Sequence, residues 1–191
     1  MKKHKGLFIT LGIVLVLIIG VVGWTVSSYN SLVNTQASVD QYKADIQADL
    51  QRRQDLVPNL VNTVKGYAAH EEEIFTQVAE ARSKLAGATS LDDAAAADGE
   101  LTQALGRLFA ISEAYPELKA SENFKDLQNQ LEGTENRIAV SRKKYNEAAQ
   151  NYNRSIKQFP KNIIASMFGF ESVEYYEASD SAQNAPNVDF D

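Results

Sequence analysis

SENFKDLQNQLEGTENRIAVSRKKYNEAAQNYNRSIKQ, running from Ser121 to Gln158, sets the fold class. Phe124, Leu127, Leu131, Thr134, Ile138, Ser141, Tyr145, Ala148, Tyr152, Ile156 and, just past the stretch, Phe159 follow one another at spacings of three and four. Sustained for about five heptads, that alternation is coiled-coil-like. Ser121 is a suitable N-cap, and a helix from Ser121 to Gln158 is about 57 Å long. Its apolar stripe must be buried against other helices, because a single helix has nothing to cover it.

Working back along the chain, a second stripe supplies the partner surface. Leu32, Val39, Tyr42, Ile46 and Leu50 share one helical face, and the pattern resumes with Val57, Leu60, Val61, Val64, Tyr67 and Ala68, then Ile74, Phe75, Val78, Ala81 and Leu85. Pro58 interrupts it, either kinking a continuous helix or lying in the first turn of one restarted after an N-cap at Asp55. Residues 87–99, GATSLDDAAAADG, carry no large apolar side chain except Leu91 and read as a mobile loop. A short helix through Leu101, Leu105, Leu108 and Phe109 then stops near Tyr115, ahead of Pro116. These features predict an all-α chain, a long antiparallel four-helix-type bundle over residues 27–177. Within it the apolar segment KNIIASMFGF (161–170) either caps the bundle or forms an amphipathic foot on the bilayer. Residues 178–191 are small and acidic and are expected to be a disordered tail.

At the other end, LFITLGIVLVLIIGVVGWTV (7–26) is long enough to cross about 30 Å of hydrocarbon as a helix. It exceeds the apolar core of a cleavable signal and ends in Trp24, which suits a lipid–water boundary, so a retained transmembrane anchor is expected. Residues 1–6 form a short basic segment. Lys2, Lys3 and Lys5 place the N-terminus in the cytoplasm and the bundle outside, in a single-pass cell-membrane topology. With those three set aside, 16 basic residues face 25 acidic ones, a net charge of −9 after the span. A polyanion is repelled by such a domain, and no basic stripe answers phosphates, so nucleic acid is excluded as a partner.

Chemistry-bearing patterns are few. The absence of Cys removes disulfides, thiolate metal sites and Cys nucleophiles. HEEEIF from His70 begins like a zinc-binding HExxH helix, but its fifth position is Ile74, and His4 is the one other histidine. His70 and Glu71 to Glu73 therefore read as a solvated turn. Ser nucleophiles lack a His base and a GxSxG turn, and Glu113 or Glu135 near Arg82, Arg137 or Arg142 suit interhelical ion pairs better than acid–base catalysis. No catalytic, cofactor-binding or metal-ligating residue is assigned, and an enzyme is not expected. Tyr-Asn occurs at 29–30, 145–146 and 152–153; the last two Tyr lie on the buried stripe, leaving each Asn to satisfy a neighbour or to join an aromatic–amide stripe for a partner.

Tyr29-Asn30, QRRQDLVPNLVNTVKGYAAHE (51–71), EAYPELKA (113–120) and TENRIAVSRKKYNEAAQNYNRSIKQFP (134–160), behind an N-terminal span, together resemble the LemA family of bacterial membrane proteins. The resemblance covers essentially the whole chain after the span and implies a long helical bundle behind one span, with no established enzymatic activity. It also implies an external N-terminus, opposite to the orientation that Lys2, Lys3 and Lys5 favour. The expected function is a non-catalytic, membrane-anchored scaffold binding an envelope protein; the alternative is an envelope sensor or small-ligand carrier with a site between helices.

Overall fold

A computed structural model describes residues 2–176, and among them every regular element is a helix: α1 (Lys2–Lys65), α2 (Glu72–Ala86), α3 (Leu91–Ile111), α4 (Pro116–Ala120), α5 (Glu122–Lys157) and α6 (Lys161–Phe168). The described residues form two compact units, one made by α1 as far as Gln41 with Glu147–Glu174, the other by Tyr42–Asn146 with Tyr175 and Tyr176. Helices α1 and α5 contribute to both. The tail expected at 178–191 lies outside the described residues.

In the first unit, α1 opens with a window of mean hydropathy 2.3, long enough to cross a membrane, of which none is buried by protein. From Phe8 to Val22 each large apolar side chain described is more than half exposed. A continuous apolar surface of this kind is stable beside lipid and not beside water. The hydroxyl of Thr25 donates to the carbonyl of Val21 at 2.9 Å, so this polar group is satisfied within the helix. Beyond the apolar run the face narrows to Leu32 and Val39, both buried. Helix α6 lies beside this part of α1: Lys161 Nζ donates to Ser31 Oγ at 3.0 Å, and the Tyr29 ring meets Phe168 edge-on with centroids 4.9 Å apart. Gly169, with φ of +74°, closes α6 in the left-handed conformation that glycine adopts without a Cβ penalty. The Phe170 N–H then bonds the Ala165 carbonyl at 2.9 Å, and the chain continues without helix to Tyr176.

In the second unit α1 carries Pro58 without a break, so the restart at Asp55 does not occur; Asp55 lies within α1 and accepts a bond from Gln51 Nε2 at 2.8 Å. A proline has no N–H to give to the carbonyl four residues earlier, which here belongs to Gln54. Arg82 of α2 fills the gap. Its Nε donates to the Gln54 carbonyl at 2.9 Å, so the acceptor freed by Pro58 becomes a docking point for the neighbouring helix. Val57, Leu60, Val64, Phe75, Val78, Ala81 and Leu85 complete the apolar seam, all buried.

The expected loop at 87–99 is a loop only as far as Ser90. Ser90 Oγ accepts from the Asp93 N–H at 3.0 Å, Asp92 and Asp93 sit in the first turn of α3, and Ala94, Ala95 and Ala97 are buried. Large apolar residues are missing because α3 packs closely with small ones, and alanine is the strongest helix former. Helix α2 packs on α3, Pro116 occupies the first turn of α4, and the rings of Phe109 and Phe124 meet edge-on at 6.1 Å. Along α5 the predicted stripe is buried at Phe124, Leu131, Thr134, Ile138, Ser141, Tyr145, Ala148, Tyr152 and Ile156. Two positions depart from their stripes. Tyr67 is exposed in the turn after α1, and Phe159, beyond the end of α5, is 80% exposed.

The Pro58–Arg82 arrangement has a measurable consequence. Arg82→Ala should destabilise the protein by about 1.5–3 kcal/mol, the contribution of a hydrogen bond from a charged donor. In a Pro58→Ala background, where residue 58 supplies the missing N–H, the same change should cost clearly less. Equal costs in the two backgrounds, measured by urea unfolding, would show that Arg82 does not answer the proline.

Candidate functional site

The second unit buries a charged cluster that the sequence patterns did not assemble. Asp98, on the inner face of α3, is 3% exposed and receives two guanidinium groups. Arg53 of α1 donates from Nη1 to Oδ1 at 2.8 Å, and Arg142 of α5 donates from Nη2 to Oδ2 at 2.6 Å. Arg53 also reaches Thr102 Oγ1 at 3.0 Å and approaches Glu135 at 3.5 Å, while the Thr102 hydroxyl donates to the Asp98 carbonyl at 2.8 Å. Three helices are joined through one carboxylate. Arg53 is 2% exposed, so its charge is held almost wholly away from water and depends on Asp98 for compensation. Glu135 and Arg142 extend from this centre toward solvent, where their charges are screened.

A short extended strap follows α6, and α5 grips it through asparagine. In the first unit Asn153 donates from Nδ2 to the Val173 carbonyl at 2.8 Å and accepts the Val173 N–H on Oδ1 at 2.9 Å. In the second, Asn146 makes the same pair with Tyr176, at 2.9 and 2.8 Å. Each side-chain amide satisfies both backbone groups of one strap residue, as a neighbouring β-strand would. The spacings agree: seven residues of helix advance about 10.5 Å, and three extended residues advance about 10 Å. This is the task of the repeated Tyr-Asn. Tyr145 and Tyr152 are buried, and the adjoining asparagines hold the chain's own strap. Tyr176 lies with its ring 4.6 Å from the Arg142 guanidinium carbon, so this strap residue covers the ionic cluster.

The residues singled out for chemistry do not converge. His70 and Glu72 are exposed in and after the α1–α2 turn, with Glu71 accepting from the Tyr115 hydroxyl at 3.3 Å. Glu113 pairs with Lys119 at 2.6 Å on the surface, and Arg137 approaches Asp49 at 3.5 Å. The first is an exposed pair, and such pairs contribute little to stability. Of the acid–base candidates, Glu135 and Arg142 belong to the Asp98 cluster and Arg82 to the Gln54 carbonyl. Asp98 was missed because it lies in the alanine-rich segment read as a loop, and the strap because residues 171–176 carry no periodicity.

The LemA family model matches residues 42–190, which is more than half of the chain. The chain belongs to the LemA family. Among curated relatives, the magnetosome proteins MamQ 1 and MamQ 2 of Paramagnetospirillum magneticum are each 30% identical over 175 residues, covering 78% of this chain. Protein LemA of Metamycoplasma hominis is 26% identical over 153 residues, covering 79% of this chain and 69% of its own. The chain matches 64% of the length of the MamQ proteins, a little under two thirds. With its exposed apolar helix and its family, the chain is a membrane-associated helical protein. The residues that carry the LemA resemblance now have physical tasks. Arg53 and Arg142 hold Asp98, Pro58 and Arg82 dock α2, and Asn146 and Asn153 clamp the strap.

Burial holds the Tyr176 phenol above its ordinary value; the Arg142 charge opposes the shift and the negative charge of Asp98 adds to it. The folded chain therefore keeps this proton more tightly than the unfolded chain. Stability from this group is complete below pH of about 10, the unfolded value, and is lost as pH rises through the folded one. Unfolding free energy should fall more steeply as pH rises above about 10 in the parent protein than in Tyr176→Phe. Superimposable profiles would show that the strap tyrosine is not buried over the cluster.

Proposed function

We propose that this LemA-family chain is a non-catalytic, single-pass scaffold that presents its helical bundle, residues 27–177, to a protein partner at the cell envelope. The observation that carries the reading is α1, one helix from Lys2 to Lys65 that passes from the apolar run into the bundle with no linker. A presentation device benefits from such stiffness, because a flexible linker dilutes the orientation of whatever it carries. The charged residues buried in the bundle are engaged in joining helices, which suits an interaction module. On the surface of α5, Val140 is 54% exposed amid polar neighbours and is the position at which partner contact is tested. The basic residues Lys2, Lys3 and Lys5 favour a cytoplasmic N-terminus and an external bundle.

The small-ligand alternative is supported by an open groove of about 700 Å³ along the end of α1 and α2, lined by Lys65, Phe75 and Ser83 among others. That volume falls in the range of ligand sites. Cysteine chemistry tests topology directly, since the chain has none of its own. Ser83→Cys should react with a membrane-impermeant maleimide in intact spheroplasts; reaction only after lysis would reverse the orientation. A photo-crosslinking amino acid at Val140 should give one discrete protein adduct in cells. A strong rise in melting temperature with a small ligand, and no adduct at Val140, would favour the ligand-carrier reading instead.

A further inference from the structure

Helix α6 has apolar residues on two faces, and the bundle covers only one of them. Ile164 and Ala165 are each 3% exposed and pack inward. Met167 is 69% exposed, Phe168 52% and Ile163 50%, and Phe159 just before the helix is 80% exposed. Capping the bundle accounts for Ile164 and Ala165 and leaves Phe159, Ile163 and Met167 unused, with Phe168 only partly covered where its ring meets Tyr29.

Their position identifies what covers them. Within the same unit, α6 touches α1 at two places beyond the apolar run, Tyr29 through Phe168 and Phe170, and Ser31 through Lys161. Tyr29 is three residues past Val26 and Ser31 five, so at 1.5 Å per residue these contacts lie about 4–8 Å beyond the end of the span. The headgroup layer has about this thickness, the bilayer being ~30 Å across its hydrocarbon and ~40–45 Å in all. We propose that α6 is a second membrane contact, an interfacial foot whose exposed face, Phe159, Ile163, Met167 and Phe168, enters the boundary between headgroups and acyl chains. The proposal rests on the anchor reading, because the depth of α6 is measured from the end of the span.

Aromatic residues favour this layer, and a short helix with one face already packed on its own protein loses little freedom on insertion. The foot would hold α1 against swivelling about its own axis, which a lone span permits. Lipid rather than protein is the occupant because α6 is held at Tyr29 and Ser31, just past the lipid-exposed run of α1, which ends in Trp24 and Val26, 39% and 53% exposed.

Spin labels on the full chain in phosphatidylcholine–phosphatidylglycerol liposomes separate the alternatives. Three single-cysteine variants are needed: Val16→Cys in the span, Met167→Cys on the foot, and Ser38→Cys as an aqueous reference about 18 Å past Val26. All three positions are exposed, so the fold tolerates the labels. The ratio of collision rates with oxygen, which concentrates in lipid, to those with a polar nickel chelate should be several-fold higher at Met167 than at Ser38. A Met167 ratio equal to that at Ser38, with Val16 still in lipid, overturns the foot and leaves the anchor intact. A Met167 label shielded from both reagents overturns it in favour of a protein surface. If Val16 itself matches Ser38, the anchor reading fails and the foot fails with it.

Discussion

The carboxylate of Asp98, enclosed by Arg53 and Arg142, is the constraint on which the second unit depends. Removing a carboxylate or a guanidinium from water costs several kcal/mol after relaxation, so neither Arg53 nor Asp98 tolerates burial alone. Each must meet the other within hydrogen-bond distance, and that requirement fixes α1 against α3 in both rotation and translation. Arg142 adds α5 to the same point. Apolar seams tolerate slippage because one leucine substitutes for another in the contact, whereas a two-armed carboxylate accepts its partners in one register. The Pro58–Arg82 bond acts in the same way on α2, since the carbonyl left open by the proline occurs once along α1.

Much of this architecture was legible because helical burial repeats. Leu131, Ile138, Tyr145 and Tyr152 were placed on a buried stripe by spacing alone, and all four are at most 3% exposed. Periodicity reports where apolar side chains recur, and it is silent where burial uses other means. Residues 91–99 pack through alanine, whose small side chain gives no hydrophobic contrast, and the capping sequence of Ser90 and Asp93 was the available signal for a helix there. Asp98 escaped notice for the same reason. An isolated acidic residue in a small-residue segment looks solvated until two distant arginines are brought to it by the fold. His70 began a motif that its fifth position failed to complete, and it lies exposed in a turn.

The asparagines show how one pattern serves two purposes. Tyr145 and Tyr152 face inward as the stripe requires, and the following Asn at each place points to a neighbouring surface, where it replaces the missing strand partner of an extended segment. Because Tyr176 lies over Arg142, the strap and the ionic cluster are linked. At the opposite end of the same strap, Phe170 and Gly169 join it to α6.

Unfolding of Asp98 variants by urea in detergent micelles tests this account most directly. Asp98→Leu leaves Arg53 buried without its counter-charge and should destabilise the protein by about 3–5 kcal/mol, while the triple variant Arg53→Met, Asp98→Leu, Arg142→Met, which removes all three charges together, should recover most of that loss. An Asp98→Leu protein within about 0.5 kcal/mol of the parent, the range of ordinary surface substitutions, would contradict the claim that this carboxylate sets the register of the helices.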